Sequence, residues 1–339
     1  VNDQKIIMSN GYGIREQGTN KKMSADTIIG LASVSKAFTS FGIMTLQEKG
    51  LLDIGEPVVN YLPWFATEEK DESDKIRVID LMRHTSGIPT QAYGLVLKDG
   101  NAENLEEQVR LINRIQLKSE PGKEFSYSNF NYWTLALIIE KVSGQRFDTY
   151  LKENIFEPMS MTRTGYYSQV SELENMTTGH RVRYGEQEVF DYHLPEVENA
   201  AGGVYSTAND MGNYLMTLLN DGFYNEDPVL SPNSIEDAWY NIHSLNKTNG
   251  YGYGWFQIKE EGNLVLEHGG DNPNFTAEVF IIPRKKLAFA LLSNSQHGVT
   301  HSLAGNITSL LVGMPLKEIK ESHYQGNASL ARILNYIAI

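Results

Sequence analysis

Ser33 and Lys36 stand three residues apart in LASVSKAF, where an apolar run passes into a segment with helical periodicity. Positions three apart share a helix face and neighbours two apart do not, so Ser33 can meet Lys36 while Ser35 cannot easily. A serine activated by a lysine is a nucleophile for acyl transfer if the amine is neutral part of the time. Burial and positive surroundings must then lower the lysine pKa from about 10.4 by several units. Ser33 also falls at the helix N-terminus, where free backbone N–H groups can help stabilise an oxyanion. Taken alone, S-x-x-K also fits an N-cap serine and a surface lysine. A second copy, Ser244 to Lys247, lies in a polar loop with no apolar helix behind it.

Two further stretches carry chemistry. In FSYSNFNYW, Tyr127 and Asn129 precede a helical segment starting near Tyr132. There the phenol could relay a proton to a leaving group, and the amide could bind a substrate carbonyl. The other reading of that stretch is a capping turn with a packed aromatic. In His268-Gly269-Gly270-Asp271-Asn272, which follows the strand-like LVLE and precedes TAEVFIIP, two glycines let a substrate backbone approach a sheet edge, or simply make a hairpin connection.

Other arrangements are set aside. His297 and His301 lie one helical turn apart, but H-E-x-x-H is absent and no third ligand is evident, so no metal is expected. There is no G-x-S-x-G, and GYG at 11 to 13 lacks the third glycine of a dinucleotide fingerprint. No cofactor is expected. With no cysteine, thiol catalysis and thiolate metal sites are excluded. A net charge of -13 repels phosphate backbones, which makes a small or neutral ligand a better partner than nucleic acid.

The elements that must position these residues are legible in outline. Ser33 to Lys49 reads as a buried helix closed by Gly50. WFQI, LVLE, TAEVFIIP and LAFALLSN form two hairpins with turns at 260 to 263 and 283 to 286, hence an antiparallel sheet. Near the N-terminus a turn at Asn2-Asp3 and a strand from Lys5 to Met8 are expected. Residues 55 to 250 look mostly helical, with helical periods in LEEQVRLINRI, YWTLALIIEKV and DMGNYLMTLLN, and TEEKDESDK (67 to 75) reads as a solvated loop. The tail SLARILNYIAI fits a packed terminal helix or the approach to a membrane segment.

SVSK, YSN and HGG in this order, with LMRHTSGIP, PGKEFSYSN and AAGGVYSTANDM, resemble the serine β-lactamase and penicillin-binding-protein-like family, class C branch, over nearly the whole chain. The resemblance implies an α/β (α+β) fold in which a central antiparallel sheet is flanked by helices and carries an inserted mostly helical domain. The expected division is residues 1–54 and 251–339 for the sheet domain and 55–250 for the insertion. It also implies a preceding helix and first strand of about forty residues. By motif, Ser33 would be the nucleophile, Lys36 its general base and Tyr127 the proton relay. Asn129 would bind the substrate amide, and the N–H groups of Ser33 and Asp271 would form the oxyanion hole, with Gly270 beside them.

Family members acting on β-lactams or D-alanyl-D-alanine usually carry a lysine where this chain has His268, and histidine is mostly neutral near pH 7. A substrate extended beyond the cleaved bond is therefore favoured. HGGDNPNF and GYGWF resemble the prodrug-activating peptidases of the colibactin- and zwittermicin-maturing type, which remove an N-acyl-D-asparagine. In them the asparagine matching Asn272 recognises the D-asparagine side chain, a use suited to a primary amide. The alternatives are a class C-like β-lactamase, D,D-carboxypeptidase or esterase, and a non-catalytic penicillin-binding or sensor protein. That branch has a histidine in the loop before AAGG, a region read here as Glu198-Asn199. It is also extracytoplasmic, with a C-terminal membrane anchor.

Overall fold

The computed structural model describes residues 1–92, 94, 102–183, 186–296 and 298–319, so the tail SLARILNYIAI lies outside the described residues. Among those described, no helix is long and apolar enough to cross a membrane.

Three short strands, β1 (Ile29–Gly30), β2 (Gly165–Tyr166) and β3 (Val204–Ser206), make a small antiparallel sheet with β3 in the middle. The larger sheet has six antiparallel strands. These are β4 (His243–Ser244), β5 (Asn249–Gly252), β6 (Trp255–Glu260), β7 (Asn263–Asn272), β8 (Phe275–Ile282) and β9 (Leu287–Ser293), in the order β9-β8-β7-β6-β5-β4. The sheet therefore carries two short strands ahead of the expected hairpins. They were hidden because NGYG is glycine-rich and polar at one end and does not alternate. The turn residues do as expected, with Glu261 and Gly262 at positive φ after β6 and Lys286 at positive φ after β8.

Strand side chains alternate, and the two faces of the sheet bury different partners. Leu266, Ala277, Val279 and Ile281 join one continuous core with Val34, Phe38 and Phe41 of the nucleophile segment. On the opposite face Val265, Phe280 and Ile282 pack with Ala304 and Val312 of the helix Gly298–Val312.

The segment read as one helix from Ser33 has two parts. Ala32–Val34 is a 3-10 turn with Ala32 at φ 47°, and regular α-helix runs from Ser35 to Glu48, called α1. Gly50, at φ 67°, closes it. The helical periods correspond to Leu105–Arg110 with a 3-10 extension to Arg114, to α2 (Asn129–Ser143), and to α3 (Ala208–Leu219). Phe38 and Phe41 of α1 meet Tyr214 of α3 at ring-centroid distances of 4.5 and 6.2 Å.

Two local expectations are corrected. Asn2 makes a turn, its Oδ1 taking the N–H groups of Gln4 and Lys5, but Lys5 to Met8 is not a strand. The sheet edge β9 pairs instead with Val1 and Asn2, leaving Ile7 and Met8 more than half exposed. A β-prone segment without a ladder partner is not a strand. The stretch 67 to 75 is not wholly loop: Lys70–Ser73 forms one helical turn with Ser73 buried and Lys70 paired to Asp74.

Candidate active site

The turn that carries Ser33 is tied down from three sides. Leu31 N–H donates to the Val204 carbonyl at 2.8 Å. Ser35 Oγ donates to the Ala32 carbonyl at 2.6 Å and accepts from Val204 N–H at 3.0 Å. Ser35 is thus a buried lock on the turn, and Ser33 is left free to face the cleft.

Lys36 enters from α1 and is wholly buried. Its Nζ lies 3.1 Å from Ser33 Oγ, donates to the Ala201 carbonyl at 2.7 Å, and sits 4.9 Å from the Tyr127 ring centroid. Among the described residues no carboxylate balances it, and desolvation alone pushes its pKa down to about 7. The stretch AAGGVYS, legible only as a resemblance, acquires a physical task here. Ala200 takes Thr39 Oγ1 at 2.8 Å and Ala201 takes Lys36, so the lysine is oriented without being charged.

Tyr127 faces Ser33 across the same cavity, and burial raises its pKa well above the usual phenol value. Its proton therefore stays on at neutral pH, and of the two neighbours of Ser33 only Lys36 is poised to act as a base. Asn129 opens α2 two residues on, half-buried; it is not among the residues lining the cavity that joins Ser33, Tyr127 and His268.

The glycines lie inside a strand rather than in a connection. β7 runs unbroken to Asn272, and its last rung with β6 is Phe256 to Glu267. Among the described residues, 268 to 272 therefore have β8 on one side and no strand on the other. His268, Gly270 and Asn272 share the face turned to Ser33, while Gly269 and Asp271 take the opposite face. Asn272 closes the strand at the two-residue turn Pro273–Asn274.

His268 is buried, with Nδ1 at 2.7 Å from the Gly269 carbonyl and Nε2 at 3.2 Å from Tyr251 Oη. Nδ1 donates, Nε2 accepts, and burial together with Lys36 holds its pKa at about 3. His268 is accordingly a neutral ring and no anchor for a carboxylate. The side chain of Asp271, on the far face, takes Thr276 Oγ1 at 3.1 Å and ion-pairs with His301 at 3.1 Å. His301 also meets Glu278, and these two carboxylates raise its pKa to about 10. His297 lies outside the described residues. A cavity of about 610 Å³ runs from Ser33 and Tyr127 past His268 and around the open strand edge to His301.

Sequence reasoning missed a residue in the loop before AAGG. His193 is there, with Nδ1 at 3.0 Å from Tyr205 Oη, Nε2 at 2.8 Å from Asp191, and its ring stacked on Tyr167 at 3.5 Å. Reading Glu198-Asn199 into that position is corrected: Glu198 is buried and Asn199 begins a helical turn. The loop reaches the site because Asn274 Nδ2 donates to the carbonyls of Phe190 and Tyr192, and because Leu194 packs at Gly202 beside Ala32. The signal available was a histidine flanked by aromatics, which spacing alone does not distinguish from packing.

Comparison with known proteins places this geometry. The Beta-lactamase family pattern matches residues 1–312. Protein flp of Staphylococcus aureus is 24% identical over 315 residues, covering 92% of this chain; the chain spans 62% of that protein's length. N-acetylmuramyl-L-alanine amidase of Bacillus subtilis is 27% identical over 342 residues, covering 88% of this chain and 76% of the amidase. Among solved structures, the octameric penicillin-binding protein homologue from Pyrococcus abyssi superposes with a TM-score of 0.81 at 26% identity, covering 94% of this chain and 73% of that one.

Proposed function

The chain belongs to the β-lactamase family of serine hydrolases, and from that premise we propose that it is a peptidase that removes an N-acyl-D-asparagine from an amide-linked precursor through an acyl-enzyme on Ser33. The observation that carries the chemistry is Lys36: buried, without a carboxylate partner among the described residues, 3.1 Å from Ser33 Oγ and with its pKa lowered to about 7.

In the first step neutral Lys36 takes the Ser33 proton as Oγ attacks the amide carbonyl. The N–H groups of Ser33 and Asp271 hold the developing oxyanion, the first at the N-terminal turn of α1 and the second on the open edge of β7. The proton now on Lys36 reaches the leaving amine through Tyr127, which hands on its own proton and takes the one from Lys36, ending neutral. Water then attacks the ester carbonyl and gives a proton to Lys36, which passes it to Ser33 Oγ as the C–Oγ bond breaks and the acyl group leaves as the acid.

Substrate choice rests on the strand edge. An extended acyl-peptide can lie along residues 268 to 272 as an added strand. His268 offers no cation for a carboxylate at the leaving side, which speaks against β-lactams and D-alanyl-D-alanine. Asn272 stands at the end of the same face, where its amide can pair with both donor and acceptor of an asparagine side chain. The amidase among the relatives supports cleavage of an amide rather than a lactam or ester.

Three substrates separate the readings: an N-acyl-D-asparaginyl amide, its L-epimer and a chromogenic cephalosporin. Turnover confined to the D-epimer is expected, and equal turnover of both epimers would sink the proposal. A serine-directed acylating probe followed by mass spectrometry is expected to modify Ser33. An unmodified Ser33 in folded protein would instead favour a non-catalytic binding protein.

A further inference from the structure

The motif LMRHTSGIP contains a histidine to which the chemistry above gives no task. His84 has no solvent exposure and lies directly behind Tyr127, with ring centroids 4.3 Å apart. Its carbonyl accepts the N–H of Ser126 at 2.8 Å, and its Nδ1 accepts the N–H of Ser128 at 3.2 Å. One residue thus holds the peptide groups on both sides of Tyr127. Asn131 Nδ2 reaches the same Nδ1 at 2.9 Å, and Asn131 is itself oriented by Ser86 Oγ, which donates to its Oδ1 at 2.7 Å.

With Nδ1 accepting, the proton of the neutral ring sits on Nε2. That atom is buried with no hydrogen-bond partner among the described residues, in a box formed by Tyr127, Tyr132, Tyr251 and Phe125. His84 also holds φ 58°, a left-handed conformation that side chains other than glycine seldom adopt. An unpartnered buried N–H and a left-handed backbone both weigh against the fold. An apolar side chain would fill the box without the first of these costs. The feature that such a side chain lacks is the Nδ1 acceptor.

We propose that His84 is a positioning residue for Tyr127, its carbonyl and Nδ1 clamping the peptide groups on either side while its ring backs the phenol that meets Ser33. This rests on the reading of Ser33 and Tyr127 as a hydrolytic pair. The clamp works only in the neutral ring, because a proton on Nδ1 would break both bonds that it accepts. The groups facing His84 keep it neutral. Burial, Lys36 from α1 and His268 from β7 hold its pKa well below the usual imidazole value, and Tyr127, Tyr132 from α2 and Tyr251 from β5 carry no charge near pH 7.

Two measurements test this. In protein labelled with ¹⁵N-histidine, long-range ¹H–¹⁵N spectra are expected to show His84 as the Nε2–H tautomer throughout the pH range in which the protein is folded. The Nδ1–H tautomer, or an imidazolium at pH 7, would overturn the proposal whether or not the protein is a hydrolase.

Turnover of the D-asparaginyl amide is then compared among variants. His84→Asn keeps an acceptor near the Nδ1 position, whereas His84→Leu removes it and His84→Gln moves it. Leu and Gln are expected to lower kcat by about 10²-fold with little change in KM, the cost of about 1 Å of misplacement. Asn is expected to recover about tenfold of that loss. Equal loss in Asn and Leu, or a change in KM alone, would overturn the clamp; if the Leu variant fails to fold, Gln carries the comparison. Wild-type protein that leaves Ser33 unlabelled would defeat the hydrolase reading, and the tautomer would still decide the case of His84.

Discussion

Gly270 passes so close beneath the Ser33 turn that a Cβ there would stand 2.2 Å from the Leu31 carbonyl oxygen and 3.0 Å from the Ser33 amide nitrogen. The strand edge that would receive substrate and the turn that carries the nucleophile are therefore in backbone contact. Any side chain at this position must push them apart.

Gly270→Ala is expected to cut acylation of Ser33 by about 10²-fold, because the obstructing atoms belong to backbone and cannot swing away. Gly269→Ala is the control. Its Cβ would meet the Glu278 carboxylate at 2.9 Å, the flexible end of a side chain on the other face. Acylation rates of the two variants with one probe check this, and equal losses would show that the close approach is unimportant.

The acid limb of kcat/KM is expected near pH 7, since activity requires neutral Lys36 and its folded pKa is about 7. The lowered pKa also carries a cost in stability. Between about pH 7 and the ordinary lysine value the unfolded chain binds the proton that the folded chain does not. The penalty is thus complete below pH 7 and fades as pH rises through that window, by about 1.4 kcal/mol per pH unit. Lys36→Met is expected to abolish turnover and raise Tm at pH 6. A lower Tm at that pH would mean that the amine is stabilised in a way the structure does not contain.

Asn272→Ala is expected to leave Ser33 labelling by a small probe intact while reducing the preference for D-asparaginyl over D-alanyl substrates by about 10- to 10²-fold, the discrimination of roughly 1–3 kcal/mol for an unpaired buried polar group. Competition kinetics between the two substrates measure it. An unchanged ratio would move recognition of the side chain elsewhere, with His193 the next residue to vary.

His301 has its pKa raised to about 10 by Asp271 and Glu278. Its contribution to stability is fully present below the ordinary imidazole value and is lost as pH rises through about 10. The pair is partly open to solvent, so the loss is screened and is expected to stay within about 1 kcal/mol. Thermal melts of wild type and His301→Gln should differ at pH 7, converge above pH 10, and converge also in high salt. A difference that persists at alkaline pH would point to packing rather than charge.

Much of the site was legible because its signals are local. Ser33 and Lys36 meet across one turn, and their three-residue spacing already placed both on the same side, although Ser33 rides the 3-10 turn ahead of α1. The hairpins from Trp255 to Ser293 were legible from alternation and turn residues. The same reasoning failed at Lys5 to Met8, a β-prone segment that pairs with no strand, and at His193, whose contacts with Tyr205 and Tyr167 are made only in the folded chain. His84 was visible as a motif but not as a clamp, since the peptide groups that it holds lie more than forty residues along the chain.

Which residue types could do chemistry, and on what elements they ride, could be read from the chain alone, because periodicity and spacing act over a few residues at a time. Their protonation states were set in three dimensions. Lys36 is a base because α1, the Ala201 carbonyl and the Tyr127 ring close around it without a carboxylate. His268 is neutral because burial and the nearby Lys36 disfavour a charge on its ring, outweighing the Gly269 carbonyl that accepts from Nδ1. Protonation follows desolvation and charge within a few ångströms, and those neighbours come from segments far apart in the chain.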